Sequence, residues 1–119
     1  MPNTIKISST ISWTDGKDTL RTTFANPVRT QVGSAVIEAI QSIGTEIESV
    51  QLGDVVPGYV CLVNRDSTNP VTISSDNAGA NVVAVLLAGE GIIVPTSVTA
   101  LWAKATGGAI SLLVLAMDA

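Results

Sequence analysis

From Leu52 to Ser75 the chain is written as turn, strand, turn, strand, and this alternation restricts its fold more than any other feature. Pro57-Gly58 is a strong turn signal, because proline pre-sets φ and glycine tolerates positive φ. Residues 59–63, Tyr-Val-Cys-Leu-Val, are aromatic or β-branched at most positions and fit a strand. Residues 64–70, Asn-Arg-Asp-Ser-Thr-Asn-Pro, cluster side chains that bond their own backbone and interrupt a ladder. Val71-Thr72-Ile73-Ser74 then alternates apolar and polar with period two. The stretch is expected to be a hairpin inside an all-β domain.

The rest of the chain has the same grammar. Ile5, Ile7, Ile11 and Trp13 share one parity and predict a half-buried strand. Asp15-Gly16 supplies a tight turn, Leu20, Thr22 and Phe24 predict a second strand, and Asn26-Pro27 ends it. Residues 34–52 suit a helix at Val36, Ala39, Ile40, Ile43, Ile47 and Val50, and suit strands nearly as well. Gly44 and the β-branched content favour two strands with a bend or bulge at Gly44-Thr45. After a polar loop at residues 76–81, residues 82–87 form a continuous apolar run, expected to be a strand buried on both faces. A turn at residues 88–91, a short strand at 92–94 closed by Pro95, an alternating segment at 98–104, a turn at 105–108 and a final strand at 109–117 complete the chain. Such spacing belongs to a sandwich, a jelly roll or a partly closed barrel. Residues 1–30 are expected to form an N-terminal strand pair or arm hinged at Asn26-Pro27, with a β-sandwich domain over residues 31–119.

Only 13% of the 119 residues are charged, against a usual ~25%. A small monomer needs surface charge for solubility, so the deficit predicts surface hidden against other subunits. A secreted or small-residue-rich monomer is the other reading of this composition. The net charge of −4 and six scattered Lys and Arg argue against nucleic-acid binding and against a polybasic membrane signal. The first residues show no charged segment followed by an apolar one, and no apolar run is long enough to span a bilayer as a helix. Cys61 has no partner cysteine and reads as a small buried hydrophobe.

Chemistry is sparse. With no His, neither a Ser-His-Asp nor a Cys-His arrangement can be assembled, and one Cys rules out an ordinary structural zinc site. Glu46 and Glu48 would point the same way on a strand, about 7 Å apart, where a solvated strand face is the plainer reading than a glycosidase pair. Asp54, Asp66 and Asp76 fall in turns and could offer oxygens to calcium, yet no Asp-x-Asp-x-Asp-Gly loop exists. Gly89-Glu90-Gly91 lacks the helix and lysine of a phosphate loop. Trp13, Tyr59 and Trp102 could stack sugars or anchor subunit contacts. No cofactor, metal or enzyme activity is expected.

One ordered set of motifs carries a resemblance. Ser42-Ile43-Gly44-Thr45-Glu46, Leu52-Gly53-Asp54, Pro57-Gly58-Tyr59, Val63-Asn64-Arg65-Asp66 and Thr68-Asn69-Pro70-Val71-Thr72-Ile73 occur in order. They are followed by Leu87-Ala88-Gly89-Glu90-Gly91-Ile92-Ile93-Val94-Pro95, then Leu101-Trp102-Ala103-Lys104-Ala105 and the apolar residues 110–115. Over residues 35–118 this pattern resembles the small all-β virion structural proteins of tailed bacteriophages, of the head decoration or cement type. Trp102 stands where that pattern often has Tyr. The resemblance implies a jelly-roll-like β-sandwich of about 8–10 short antiparallel strands, on the capsid exterior of the virion and made in the host cytoplasm. It implies the major capsid protein and further copies of the chain, as a homotrimer, as partners, and neither nucleic acid nor membrane. Trp13, Phe24, Tyr59 and Trp102 are the expected interface residues, with the arm carrying intersubunit or shell contacts. A tail, collar or fibre-associated virion protein and a carbohydrate-binding β-sandwich are the alternatives.

Overall fold

The computed structural model describes residues 4–14, 16–17, 19–25, 29–30, 36–52, 58–94 and 100–117. The Asn26-Pro27 hinge, Asp54, Pro57, Pro95 and the side chain of Phe24 lie outside the described residues. The chain divides into two compact units, Met1–Val32 and Gly33–Ala119.

In the first unit, β1 (Thr4–Ile5) pairs antiparallel with β4 (Arg29–Thr30), and β2 (Ser8–Thr14) pairs antiparallel with β3 (Thr19–Ala25). The β2-β3 ladder runs in unbroken register from Ser8↔Ala25 to Thr14↔Thr19. Gly16, at φ +92°, supplies the left-handed conformation that this reversal requires. Cross-strand hydroxyls meet on one face, Thr10 with Thr23 at 3.0 Å and Thr14 with Thr19 at 3.3 Å. The single strand expected over Ile5 to Trp13 is instead two, broken at Lys6-Ile7. Nor is it half-buried throughout: Ile5 is buried, but Ile11 and Trp13 are 75% and 54% exposed. A two-stranded ribbon has no second layer of its own to bury an apolar face.

The second unit is all-β: β5 (Val36–Ile43), β6 (Glu48–Ser49), β7 (Tyr59–Asn64), β8 (Val71–Ser74), β9 (Val82–Leu86), β10 (Gly91–Val94), β11 (Trp102–Ala105) and β12 (Ile110–Met117). They form two four-stranded antiparallel sheets, ordered β10-β7-β12-β5 and β6-β11-β8-β9. The pairing is nested. β8 pairs with β9, β7 with β10, β6 with β11 and β5 with β12, as if one long hairpin had been folded over itself. Rolling that ribbon brings β7 beside β12 and β8 beside β11, which is the jelly-roll sandwich.

Alternation dictates which residues meet between the sheets. Val60 and Leu62 from β7, Leu112, Val114 and Ala116 from β12, and Ile43 from β5 point inward. They pack on Val71 and Ile73 from β8, Ala103 and Ala105 from β11, and Leu86 from β9. Ala103 and Ala105 on β11 are small residues buried in this core among larger ones.

Residues 36–49 are two strands, and the bend falls at Thr45-Glu46, next to Gly44. Glu48 fixes it. Its Oε2 accepts the Gly44 N–H at 3.2 Å while its Oε1 accepts from Gln41 Nε2 at 3.4 Å. Glu46 lies in the bend, so the two glutamates do not share a strand face as their spacing suggested.

Two further expectations are corrected. β7 and β8 are not a hairpin: residues 65–70 carry the chain from one sheet to the other, and each strand pairs elsewhere. β9 is not buried on both faces. It is an edge strand, and Val82, Val83 and Val85 are exposed, with Leu87 just beyond them.

Candidate interaction surface

The outer face of the β10-β7-β12-β5 sheet is the most unusual surface of the second unit. Register places Ile93, Cys61, Leu115 and Glu38 in one row across the strands. The adjacent row is Gly91, Val63, Leu113 and Ile40. A third row sets Tyr59 beside Met117 and Val36. Glu38 is the only charged residue in these rows, and it stands on edge strand β5. An antiparallel sheet with one solvated face ordinarily alternates polar residues onto that face. Here, apart from Glu38 and the Ser42–Ser111 pair, the outward residues of these rows are apolar as well. Ile40 and Val36 are 63% and 57% exposed, and Ile93 is 41% exposed.

Cys61 sits in this face, half-buried, and burial pushes its thiol up from its ordinary range. At neutral pH it is a neutral thiol with little nucleophilic character. The small buried hydrophobe expected at Cys61 is thus half-buried.

The opposite sheet has a different outer face. Thr72 and Lys104 stand in register, with Trp102 beside Ser74 and Ser49. Glu46, Ile47, Gly79 and Thr106 help line a depression of about 340 Å³ there. Its lining mixes one cation, one carboxylate and hydroxyls, without an array that would orient a reaction.

Of the aromatic anchor candidates, the two in the second unit, Tyr59 and Trp102, are not gathered into one site. Tyr59 belongs to the outward parity of β7 but is buried, at 8% exposure. Trp102 is half-buried on the outer side of the other sheet, so these two lie on opposite faces of the sandwich. Trp13 belongs to the first unit, beside a shallow depression of about 180 Å³ that Ile11 and Arg21 also line. Tyr59 and Trp102 therefore form no joint stacking platform.

The turn aspartates serve the backbone. Asp66 Oδ2 accepts the N–H groups of Asn69 at 2.6 Å and Thr68 at 3.0 Å, which hold its carboxyl below the usual range. Asp76 accepts the N–H of Asn81 at 2.8 Å and of Ala80 at 3.1 Å, with the same effect. Each stitches its own loop, and among the described residues no three His, Cys, Asp or Glu side chains gather as a metal site would require.

Sequence reasoning missed the outer sheet face. Its signal was present: β7, β10 and β12 are apolar at both parities, and only one parity can face the partner sheet. Comparison with known families, with curated proteins and with solved structures finds no match.

Proposed function

We propose that this protein is a structural component of a tailed-bacteriophage virion, a decoration protein that binds the major capsid protein on the outside of the head and stabilises the shell. In this reading it works as an oligomer, a homotrimer in the form the sequence resemblance implies, and has no catalytic role. One observation carries the reading: a sandwich face whose rows hold a single charged residue, on a chain with only 13% charged residues. Such a face is suited to dry contact with other protein surfaces rather than to water. The ordered motifs over residues 35–118 supply the virion context, and the jelly-roll topology is compatible with it. The acidic net charge of −4 suits a component that does not adhere to packaged DNA.

The test is cosedimentation of the purified protein with undecorated heads and, separately, with tails of a phage encoding it. Pelleting with heads and raised resistance of those heads to heat support the proposal. Pelleting with tails alone moves the protein to the tail or collar, and pelleting with neither overturns the virion reading.

A further inference from the structure

We infer that the outer face of the β10-β7-β12-β5 sheet is where a second copy of this chain docks. Chemistry selects the occupant. The centre of the face, Val63, Leu113, Cys61 and Leu115, is uncharged, and the one carboxylate, Glu38, stands at the rim. A strongly basic or acidic partner finds nothing there to pair with. A flat apolar face is satisfied by another flat apolar face, and every copy of the chain carries one, so the contact is self-complementary and pairs two copies, a dimer rather than the homotrimer that the sequence resemblance implies. Sheets pack face to face about 10 Å apart.

Area points the same way. Four strands at about 4.8 Å spacing, averaging six or seven residues at about 3.4 Å each, give a face of roughly 400 Å² in projection. That is the apolar centre of a standard interface of about 800 Å² per partner, with the strand edges and flanking turns as its rim. The inference uses the same apolar face as the virion reading, but it concerns what the purified chain does alone.

Two measurements test it. Sedimentation velocity of the full chain from about 1 µM to about 500 µM should pass from monomer toward a larger species. The double variant Ile40→Lys, Leu113→Lys, which places charges on outward positions, should remain monomeric with an unchanged circular dichroism spectrum. Cys61 gives a readout that needs no variant. At fixed pH its labelling by a thiol reagent should slow at least about tenfold between the dilute and the concentrated wild-type protein. A wild-type chain that stays monomeric throughout overturns the inference, as does a folded double variant that associates like the wild type. Cys61 protection independent of concentration also overturns it, because the cover would then come from within the same chain. Failure to bind heads while self-association persists rejects only the virion reading.

Discussion

The side-chain amide of Asn64, at the end of β7, donates a 3.1 Å hydrogen bond to the carbonyl of Leu86, at the end of β9, and so ties one sheet of the sandwich to the other. The same Nδ2 donates to the Asn69 carbonyl at 2.9 Å, and Oδ1 accepts the Asp66 N–H at 3.0 Å. The Asn64 backbone adds two more bonds, donating to Glu90 O and accepting from Gly89 N–H. Asn64 is fully buried and every polar atom of its side chain has a partner. It sets where residues 65–70 leave one sheet and where the 88–90 turn returns to it.

Replacing it should be costly. Asn64→Leu keeps the branched shape but leaves two carbonyls and an N–H without their partner. A loss of about 2–4 kcal/mol is expected, read as a lower midpoint in urea unfolding. A variant that unfolds with wild-type stability would show the network to be dispensable.

Gly107 turns the chain between β11 and β12 at φ +90°, and a Cβ built there would come within 2.9 Å of Asn69 Oδ1. Gly89 has φ +83° but open space around its missing Cβ. Alanine at Gly89 should cost about 1 kcal/mol from backbone conformation alone, and alanine at Gly107 somewhat more. Equal losses would mean that Asn69 yields without penalty.

Acid should weaken the fold through two loops. Asp66 and Asp76 are held below the ordinary carboxylate range, Asp66 first by the Asn69 N–H and Asp76 first by the Asn81 N–H. A carboxyl with a lowered folded-state pKa contributes stability above its unfolded value, and that contribution disappears as pH falls through the folded value. Stability measured from neutral pH downward should therefore decline at and below the ordinary carboxylate range. The Asp66→Asn, Asp76→Asn double variant should show a shallower decline, and an identical pH profile would assign the acid sensitivity elsewhere.

Edge strand β9 carries no charge and no proline over residues 81–88, unlike edges that natural sheets protect. Val85 points outward in register with Thr72 and is 52% exposed. Val85→Lys should change unfolding stability by no more than about 0.5 kcal/mol while suppressing heat-induced aggregation. Turbidity during a thermal ramp checks this, and unchanged turbidity would place the aggregating segment elsewhere.

The strands were legible because alternation and turn chemistry are local. Gly44 and the β-branched residues around it overrode a helical spacing at Val36, Ile40 and Ile43, and β5 and β6 follow. What stayed hidden was partnership. Asn64 to Pro70 has the same turn-forming chemistry whether the next strand pairs beside the last or crosses to the opposite sheet, so the hairpin was misassigned. The run at Val82 to Leu87 is apolar whether it lies centrally or at an edge. Its exposure is decided by β8 having neighbours on both sides while β9 has one. The apolar outer face needed the same knowledge, because only the sheet order reveals which outward residues lie side by side.

The nested ladder also governs when the sandwich can close during synthesis. β12, the C-terminal-most of the described strands, is an interior strand, lying between β7 and β5 and bonded to both. Until Met117 has left the ribosome, β5 has no strand to pair with and the jelly roll cannot close. Assembly of that sheet is thereby postponed until β12 has emerged, and chains stalled before residue 110 should be cut by protease where chains that contain β12 resist.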